Sequence, residues 1–174
     1  MSTLPILTAP HPVLSRKARD VREDELGPEL ARLLSDMAET MYAAPGVGLA
    51  APQVGDGRRV IVVDSGKRTP GTSGLLKMVN PKIIARSREK ITWDETCLSV
   101  PDFEVNVERH KNITVRWLTA EGEPKEADFH DFEAVIIQHE LDHLMGTVLL
   151  DKVSAFRRSR YLQKVRARRV PARA

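Results

Sequence analysis

The sequence of 174 residues contains a single cysteine, Cys97, so an internal disulfide framework is excluded. A lone thiol fits a reducing compartment, where it is more often a metal ligand or a nucleophile than a crosslink. No apolar run approaches the roughly 20 residues of a membrane-spanning helix. Residues 1–12 have no basic segment ahead of their few apolar side chains, so no signal peptide is predicted. We therefore expect a cytoplasmic protein.

Acidic residues are missing from the C-terminal segment, 157–174, which has eight basic residues and no acidic ones. The other 19 of the 27 basic residues are outnumbered by 24 acidic ones, so the rest of the chain has a net charge of −5. The overall charge of +3 is therefore a property of this segment. It predicts contact with a polyanion, although a solvated helix end would also favour cations.

The apolar content of 41% and the charged content of 29% are typical of a folded globular protein. The length predicts one domain, 1–174, in which 154–174 is a basic C-terminal helix and tail. Apolar residues recur at helical spacing between Leu26 and Met41, which predicts an amphipathic helix at Pro28–Ala43. Two further helices are predicted at 132–145 and at about 154–169, where Asp131 and Ser154 are candidate N-caps and Gly146 is a stop signal.

Strands are predicted mainly between these helices, and the fold class is therefore α+β. The predicted extended segments are 59–64, 76–80, 81–85, 104–108, 112–119 and 147–150, with Pro81 dividing the second from the third. A loop is predicted at 66–74, which is rich in Gly, Ser, Thr and Pro.

The segment 139–143 reads His-Glu-Leu-Asp-His, an H-E-x-x-H motif. On a helix, His139 and His143 lie on one face, where their imidazoles can bind one metal ion. Glu140 can then act as a base on a water at the metal. The alternative is an ordinary amphipathic helix with two surface histidines.

Two histidines are one ligand short of a catalytic site, which has three protein ligands and an open position for water. After His143 the chain has no histidine or glutamate, and Asp151 is the only acid. The third ligand is therefore expected upstream, and Cys97 can complete a tetrahedral site of one thiolate, two imidazoles and a water. The alternative is that Cys97 is a small buried apolar residue.

Residues 46–55 form a glycine-containing segment that formally matches the dinucleotide-binding fingerprint. That match is rejected because the segment follows a helix instead of a strand, and because Pro52 does not suit the helix that should come next. Its glycines instead allow a peptide to approach the backbone closely, and Gln53 can donate a hydrogen bond from it. The alternative is a simple turn.

Taken together, segments 46–53, 95–99 and 138–143 resemble the three motifs of the peptide deformylase family. Those motifs, G-x-G-x-A-A-x-Q, E-G-C-L-S and Q-H-E-x-D-H, occur here in the same order, and the resemblance extends over essentially the whole chain. It implies mixed or antiparallel β-sheets around a central helix that carries H-E-x-x-H. A long N-terminal helix and a basic C-terminal helix are also implied.

The resemblance implies one divalent metal ion, Fe²⁺ in the cell, with Zn²⁺, Ni²⁺ or Co²⁺ possible in preparations. The implied metal ligands are Cys97, His139 and His143. The implied catalytic groups are Glu140 as acid and base, with Gln53 and the backbone N–H of Leu98 as donors to the oxyanion. Arg109 and Asp142 correspond to a pair that braces the motif helix, although a plain surface ion pair is the alternative.

The implied reaction removes the formyl group from the N-terminal formyl-methionine of new polypeptides and releases formate. The methionine side chain needs an apolar pocket, although several of the residues implied for it can equally be core. The implied substrate-binding residues are Gly46, Val47, Gly48, Trp93, Thr96, Phe132, Val135 and Ile136. Thr96 departs from the family, which usually has glycine there; a positive φ would strain a threonine, whereas otherwise its side chain only narrows the cleft.

The implied partners are formyl-methionyl nascent peptides and, through the basic tail, the ribosome near the exit of the nascent chain; no membrane or DNA partner is expected. Two other functions stay open on the residues alone. One is a zinc peptidase of the H-E-x-x-H type, which the missing downstream ligand disfavours. The other is a non-enzymatic ribosome-associated protein, which only the basic tail favours.

Overall fold

A computed structural model describes residues 2–66 and 74–169, which form an α+β fold as predicted. Its α-helices are α1 (Pro28–Ala43), α2 (Asp131–Leu144) and α3 (Ala155–Arg169). Its strands are β1 (Gly48–Ala50), β2 (Val60–Val63), β3 (Leu76–Arg86), β4 (Lys90–Cys97), β5 (Val100–His110), β6 (Asn112–Leu118) and β7 (Pro124–His130). Short 3-10 helices are found at Pro12–Ser15, Glu23–Glu25, Ala51–Val54 and Leu149–Lys152.

The strands form two sheets, and every pairing between the named strands is antiparallel. The larger sheet has the order β1-β2-β3-β6-β7, and the smaller one is the hairpin β4-β5. Helix α2 contacts strands of both sheets, including β1, β2 and β7 of the larger sheet and β5 of the hairpin. The helix that carries H-E-x-x-H is therefore central, as the family resemblance implies.

Strand β2 separates two apolar cores. Val60 and Val62 pack in the cluster under α1, whereas Ile61 and Val63 pack in the cluster under α2. Successive side chains of a strand point to opposite faces, and both faces of β2 are covered by a helix. This double burial explains why β2 is an uninterrupted apolar run in the sequence.

Helix α1 has the predicted bounds, and α3 begins and ends as predicted, with Ser154 Oγ accepting from the Arg157 N–H at 3.3 Å. Helix α2 begins one residue earlier than predicted, since Asp131 is its first residue and His130 is the N-cap. Gly146 follows the end of α2 with a φ of 75°, which suits the predicted stop.

Two strand predictions were wrong. Segments 76–80 and 81–85 are one strand, β3, which continues through Pro81 because its pairing with β6 shifts register between Val79 and Lys82. Segment 147–150 is not a strand: it leads into the 3-10 helix Leu149–Lys152, and its apolar residues pack in a core cluster with Cys97.

Strands β4 and β7 were not predicted, and neither was the short β1. In β4 the residues facing the core alternate as expected for a strand, but one of them is the charged Glu95, which breaks the apolar pattern. In β7 Phe129 is the one fully buried residue. Most of the predicted loop at 66–74, and the end of the predicted tail at 170–174, lie outside the described residues.

In the described part of the chain, no helix combines the length and the apolar character needed to cross a membrane.

Gln138 ties α2 to the hairpin. Its Oε1 accepts from the backbone N–H of His110 at 3.1 Å, and its Nε2 donates to the carbonyl oxygen of His110 at 2.8 Å. The same Nε2 donates to the carbonyl oxygen of Ala134 at 3.0 Å. This side chain, which is only 7% exposed, therefore pairs both backbone groups of the last residue of β5.

We expect Gln138→Ala to lower the free energy of unfolding by about 1–3 kcal/mol, because it leaves the backbone groups of His110 without partners. Urea denaturation measures the change. Gln163→Ala, at an exposed position on α3, is the matched control and is expected to have little effect. Equal stability of the Gln138 variant and the parent protein would contradict this role.

Candidate metal centre

Three side chains that can bind a metal ion meet at one point between α2 and the hairpin. Cys97 is the last residue of β4, and His139 and His143 lie one helical turn apart on α2. One ligand atom from each lies within 4.8 Å of the other two. Cys97 Sγ is 3.3 Å from His143 Nε2. A thiolate with two imidazoles is a donor set suited to zinc or iron.

Glu95 orients one of these histidines. Its Oε2 lies 2.8 Å from His139 Nδ1, so that Nε2 is the ring nitrogen available to a metal ion. Glu95 lies in the segment that resembles the second family motif, but no role was predicted for it. A signal was present, because residues 95 and 97 of one strand share a face, and Glu95 therefore points to the same side as Cys97.

Arg109 joins Glu95 to Asp142. Its Nε and Nη2 donate to the two Glu95 carboxylate oxygens at 2.7 and 2.9 Å, and its Nη1 donates to Asp142 Oδ2 at 2.6 Å. Because Arg109 is only 6% exposed, the pair is not the plain surface ion pair that was the alternative. Burial lowers the pKa of Arg109, but the two carboxylates outweigh it and raise the pKa above its ordinary value.

Burial and hydrogen bonds shift the pKa values of the groups around His139 in different directions. Burial raises the pKa of Glu95, but hydrogen bonds from Arg109 and His139 outweigh it and lower that pKa below its usual value. Burial lowers the pKa of His143. Burial also opposes protonation of His139, yet its hydrogen bonds with Cys97 and Glu95 raise its pKa. The fit to a metal ion comes from the donor set itself, since one sulfur and two imidazoles are grouped within reach of one ion.

Glu140 is buried beside the ligand atoms. Among the described residues its Oε2 has no hydrogen-bond partner, and burial is the largest influence that raises the pKa of this carboxyl to about 7. The carboxylate lies against Gly48 of β1, where an added Cβ would come within 2.9 Å of Glu140 Cδ. Glycine at position 48 therefore gives the carboxylate its space.

Gln53 reaches the same place from the 3-10 helix that follows β1. Its Oε1 accepts from the Ala50 N–H at 2.8 Å, and its Nε2 donates to Ser99 Oγ at 3.1 Å. That Nε2 is 3.8 Å from Cys97 Sγ. Ser99, which is fully buried, thus holds the amide in place, a role that was not predicted from the sequence.

A cavity of about 410 Å³ opens onto these groups. Trp93 and Phe132 stack on one another at its wall, with ring centroids 4.9 Å apart. Gln53, Leu98, Cys97, His139 and Glu140 also line it, whereas His143 lies behind the wall. The lining includes all the residues that the resemblance implied for substrate binding: Gly46, Val47, Gly48, Trp93, Thr96, Phe132, Val135 and Ile136.

Thr96 is an exposed residue at the cavity and is not strained. The described non-glycine residues with positive φ are Pro45, Asn80, Asp102 and Asp131. Because Thr96 is not one of them, the backbone there does not require glycine. Backbone strain at Thr96 is therefore excluded, and the remaining consequence is that its side chain narrows the cleft.

The family model and the curated relatives that this chain matches all belong to one family. A family model described as polypeptide deformylase matches residues 3–159. A peptide deformylase from Desulfotalea psychrophila is 39% identical over 166 residues, which cover 95% of this chain and 96% of the relative. One from Syntrophobacter fumaroxidans is 42% identical over 164 residues, which cover 94% of each chain.

Solved structures that resemble this fold are also peptide deformylases. The peptide deformylase from Ehrlichia chaffeensis in complex with actinonin has a TM-score of 0.90 at 36% identity, covering 97% of this chain and 99% of that chain. The Met-Ala-Ser-bound class I type b peptide deformylase from Acinetobacter baumannii has a TM-score of 0.82 at 38% identity, covering 87% of this chain and 99% of that one.

We expect Glu95→Gln to weaken metal binding by about 10- to 100-fold, as is typical when a residue that orients a ligand is changed. Glutamine can still accept from Arg109, but its amide N–H would face the N–H of His139 Nδ1. Competition with a chelator measures the affinity. Glu108→Gln, an exposed change of the same charge in the same hairpin, is the control. Unchanged affinity in the Glu95 variant would exclude the orienting role.

Proposed function

The chain belongs to the polypeptide deformylase family, metal-dependent hydrolases that remove the N-terminal formyl group of nascent polypeptides, and from that premise we propose which residues perform the reaction. Cys97, His139 and His143 bind one divalent metal ion. Glu140 moves the proton. One observation carries this assignment: Glu140, whose buried Oε2 has no described hydrogen-bond partner, lines the same cavity as Cys97 and His139, which are grouped with His143.

A divalent metal ion in such a site lowers the pKa of a water and polarises a carbonyl group. Glu140 takes a proton from the attacking water while the water oxygen bonds to the formyl carbon. The bond from that carbon to the peptide nitrogen then breaks, and Glu140 delivers its proton to the departing amine. Formic acid and a free amine result, and transfer of the remaining acidic proton to the amine gives formate and a protonated amino terminus, so atoms and charge balance without any further reactant.

Gln53 and the backbone N–H of Leu98 stabilise the oxygen that becomes negative during the attack. The support for Gln53 is its place in the cavity wall, with Nε2 held by Ser99 next to Cys97. Losing one such donor typically costs on the order of 100- to 1,000-fold in rate.

The methionine side chain occupies the apolar part of the cavity, formed by Val47, the Trp93–Phe132 stack, Val135 and Ile136. The relative from Acinetobacter baumannii holds Met-Ala-Ser, a peptide that begins with methionine. Thr96 narrows the entrance that follows this pocket, and it acts on peptide affinity more than on the chemistry, because Cys97 and Leu98 are retained.

The metal ion in the cell is Fe²⁺, with Zn²⁺, Ni²⁺ or Co²⁺ able to replace it in preparations. The donor set of one thiolate and two imidazoles supports these ions over magnesium or calcium, which prefer oxygen ligands. Residues 1–174 act as one catalytic domain in the cytoplasm.

The enzyme docks on the ribosome through the solvent-facing side of α3. Among the described side chains, Arg160, Lys164 and Arg166 are exposed and have no ion-pair partner, and Phe156 is 75% exposed beside them. Tyr161, Leu162 and Val165 do not belong to this surface, because they pack against the protein body. The side chain of Arg169 and residues 170–174 lie outside the described part.

We expect Glu140→Gln to keep the metal ion and to lose turnover, because the carboxylate transfers a proton and does not bind the ion. Metal analysis and formate release from a formyl-methionyl peptide are measured together. Normal turnover would exclude the proton-transfer role, and a metal-free variant would make Glu140 a ligand.

Gly48→Ala provides a second test of Glu140, because the added Cβ would meet its carboxylate. Turnover is expected to fall while the metal ion stays bound. Gly57→Ala is the control, since an added Cβ at this position meets nothing within 4 Å.

Iron-loaded enzyme is expected to lose activity in air, whereas nickel- or cobalt-loaded enzyme keeps it. The reason is that a thiolate next to Fe²⁺ is oxidised along the sulfenic and sulfinic series. Formate release is followed after timed exposure to air without reductant. Air-stable activity of the iron form would count against Cys97 and iron sharing one site.

Ribosome co-sedimentation of the triple variant Arg160→Ala, Lys164→Ala, Arg166→Ala is expected to fall at low salt. Each lost phosphate contact lowers the salt dependence by roughly 0.7–0.9 log units per decade of salt. The control removes three other exposed basic side chains, on β3 and just after it: Lys82, Arg86 and Arg88. If the two triple variants co-sediment equally, docking lies elsewhere.

A further inference from the structure

The pairing of β4 with β5 is interrupted next to the turn that joins them, residues 97–101. Thr96 pairs with Glu104, but the next residue, Cys97, pairs with Val100. Three residues of β5, 101–103, therefore have no partner opposite them in β4. Asp102 within this bulge has a φ of 57°, which further departs from strand geometry. The bulge adjoins Cys97, so its position bears directly on the metal ligand.

Helix α3 contacts each residue of the bulge. The Tyr161 hydroxyl donates to the carbonyl oxygen of Pro101 at 3.0 Å, and Arg168 Nη1 lies 2.9 Å from Asp102 Oδ2. The Tyr161 ring lies 5.0 Å from the Phe103 ring, between centroids. On the other side of the bulge, Arg157 Nη2 donates to the carbonyl oxygen of Glu104 at 2.6 Å. The helix thus supplies the contacts that a strand partner would otherwise provide.

Tyr161 is the buried member of this set. It is 9% exposed and belongs to the same apolar cluster as Cys97 and Val100. Arg168 is exposed, and exposed ion pairs contribute little. Arg157 is also exposed, and its hydrogen bond is to Glu104, which lies outside residues 101–103. Its hydroxyl makes a partly buried hydrogen bond to the Pro101 carbonyl oxygen, and the packed ring leaves the hydroxyl little freedom to move. Of the contacts between α3 and the bulge, the one from Tyr161 therefore constrains the turn most.

We propose that Tyr161 is a positioning residue for the reaction: through Pro101 it holds the turn that presents the Cys97 thiolate and the Leu98 N–H to the cavity. This rests on the roles proposed above for Cys97 and Leu98. A second contact holds the same turn, because the Ala9 N–H donates to the Ser99 carbonyl oxygen at 2.8 Å. The hydrogen bonds from Ala9 and Tyr161 thus bind the carbonyl oxygens of Ser99 and Pro101, one at each end of segment 99–101.

The deciding variant is Tyr161→Phe, which removes the hydroxyl and keeps the ring against Phe103. We expect kcat for a formyl-methionyl peptide to fall about three- to tenfold, the effect of one lost hydrogen bond. KM is expected to stay unchanged, because the methionine pocket is not touched. Tyr42→Phe is the control, since Tyr42 is the only other tyrosine and its hydroxyl donates to Asp64, away from the turn.

A second readout does not depend on turnover. Cys97 is the only cysteine and is 8% exposed, so alkylation of the metal-free protein by iodoacetamide reports on this turn alone. We expect faster alkylation in Tyr161→Phe and an unchanged rate in Tyr42→Phe. A Tyr161→Phe protein with parental kcat and parental alkylation rate overturns the proposal, whether or not its thermal midpoint falls.

The same assay separates this proposal from the function on which it rests. In the parent protein, bound metal ion should protect Cys97 from alkylation. If it does not, the ligand role of Cys97 fails, and the positioning proposal fails with it. If bound metal ion protects Cys97 but Tyr161→Phe has the parental kcat and the parental alkylation rate, the proposed function stands and the positioning role alone is excluded.

Discussion

The buried Glu95 carboxylate, shared between Arg109 and His139, is the interaction on which the rest of the site depends. It is a contact between separate elements, because Glu95 and Arg109 belong to the hairpin and His139 belongs to α2. Removing one partner of a buried pair typically costs about 3–5 kcal/mol, since the other charge stays buried. The contacts of Glu95 with Arg109 and His139 therefore fix the distance between strand β4, which carries Cys97, and helix α2, which carries the histidines.

Helix α2 can hold the site because it is enclosed by both sheets. Its apolar residues pack under β2 and β7, and Gln138 pairs the end of β5 on its other side. A helix fixed along both sides has little freedom to shift its two histidines. Burial also places Glu140 in surroundings where charge is poorly solvated, which strengthens its interactions with neighbouring charged groups. The packing of α2 between the two sheets therefore both restricts the movement of the helix and keeps water away from Glu140.

The sequence predicted which side chains lie close together better than it predicted the elements between them. His139, Glu140 and His143 follow from helical spacing, and Cys97 follows because the chain offers no other thiol. Strand β3 was divided at Pro81 because a bulge is set by pairing with β6, which a local pattern does not contain. Segment 147–150 is apolar because it is buried, not because it is extended. Glu95 was missed because its partners are 14 and 44 residues away.

The central claim is that one divalent ion is bound by one sulfur and two imidazole nitrogens of this chain. X-ray absorption spectroscopy of the zinc-loaded protein tests it most directly, because sulfur and nitrogen neighbours differ in distance and scattering. The predicted spectrum contains one sulfur at about 2.3 Å and two imidazole nitrogens at about 2.0–2.1 Å. A first shell without sulfur would contradict the claim, since Cys97 is the only cysteine in the chain.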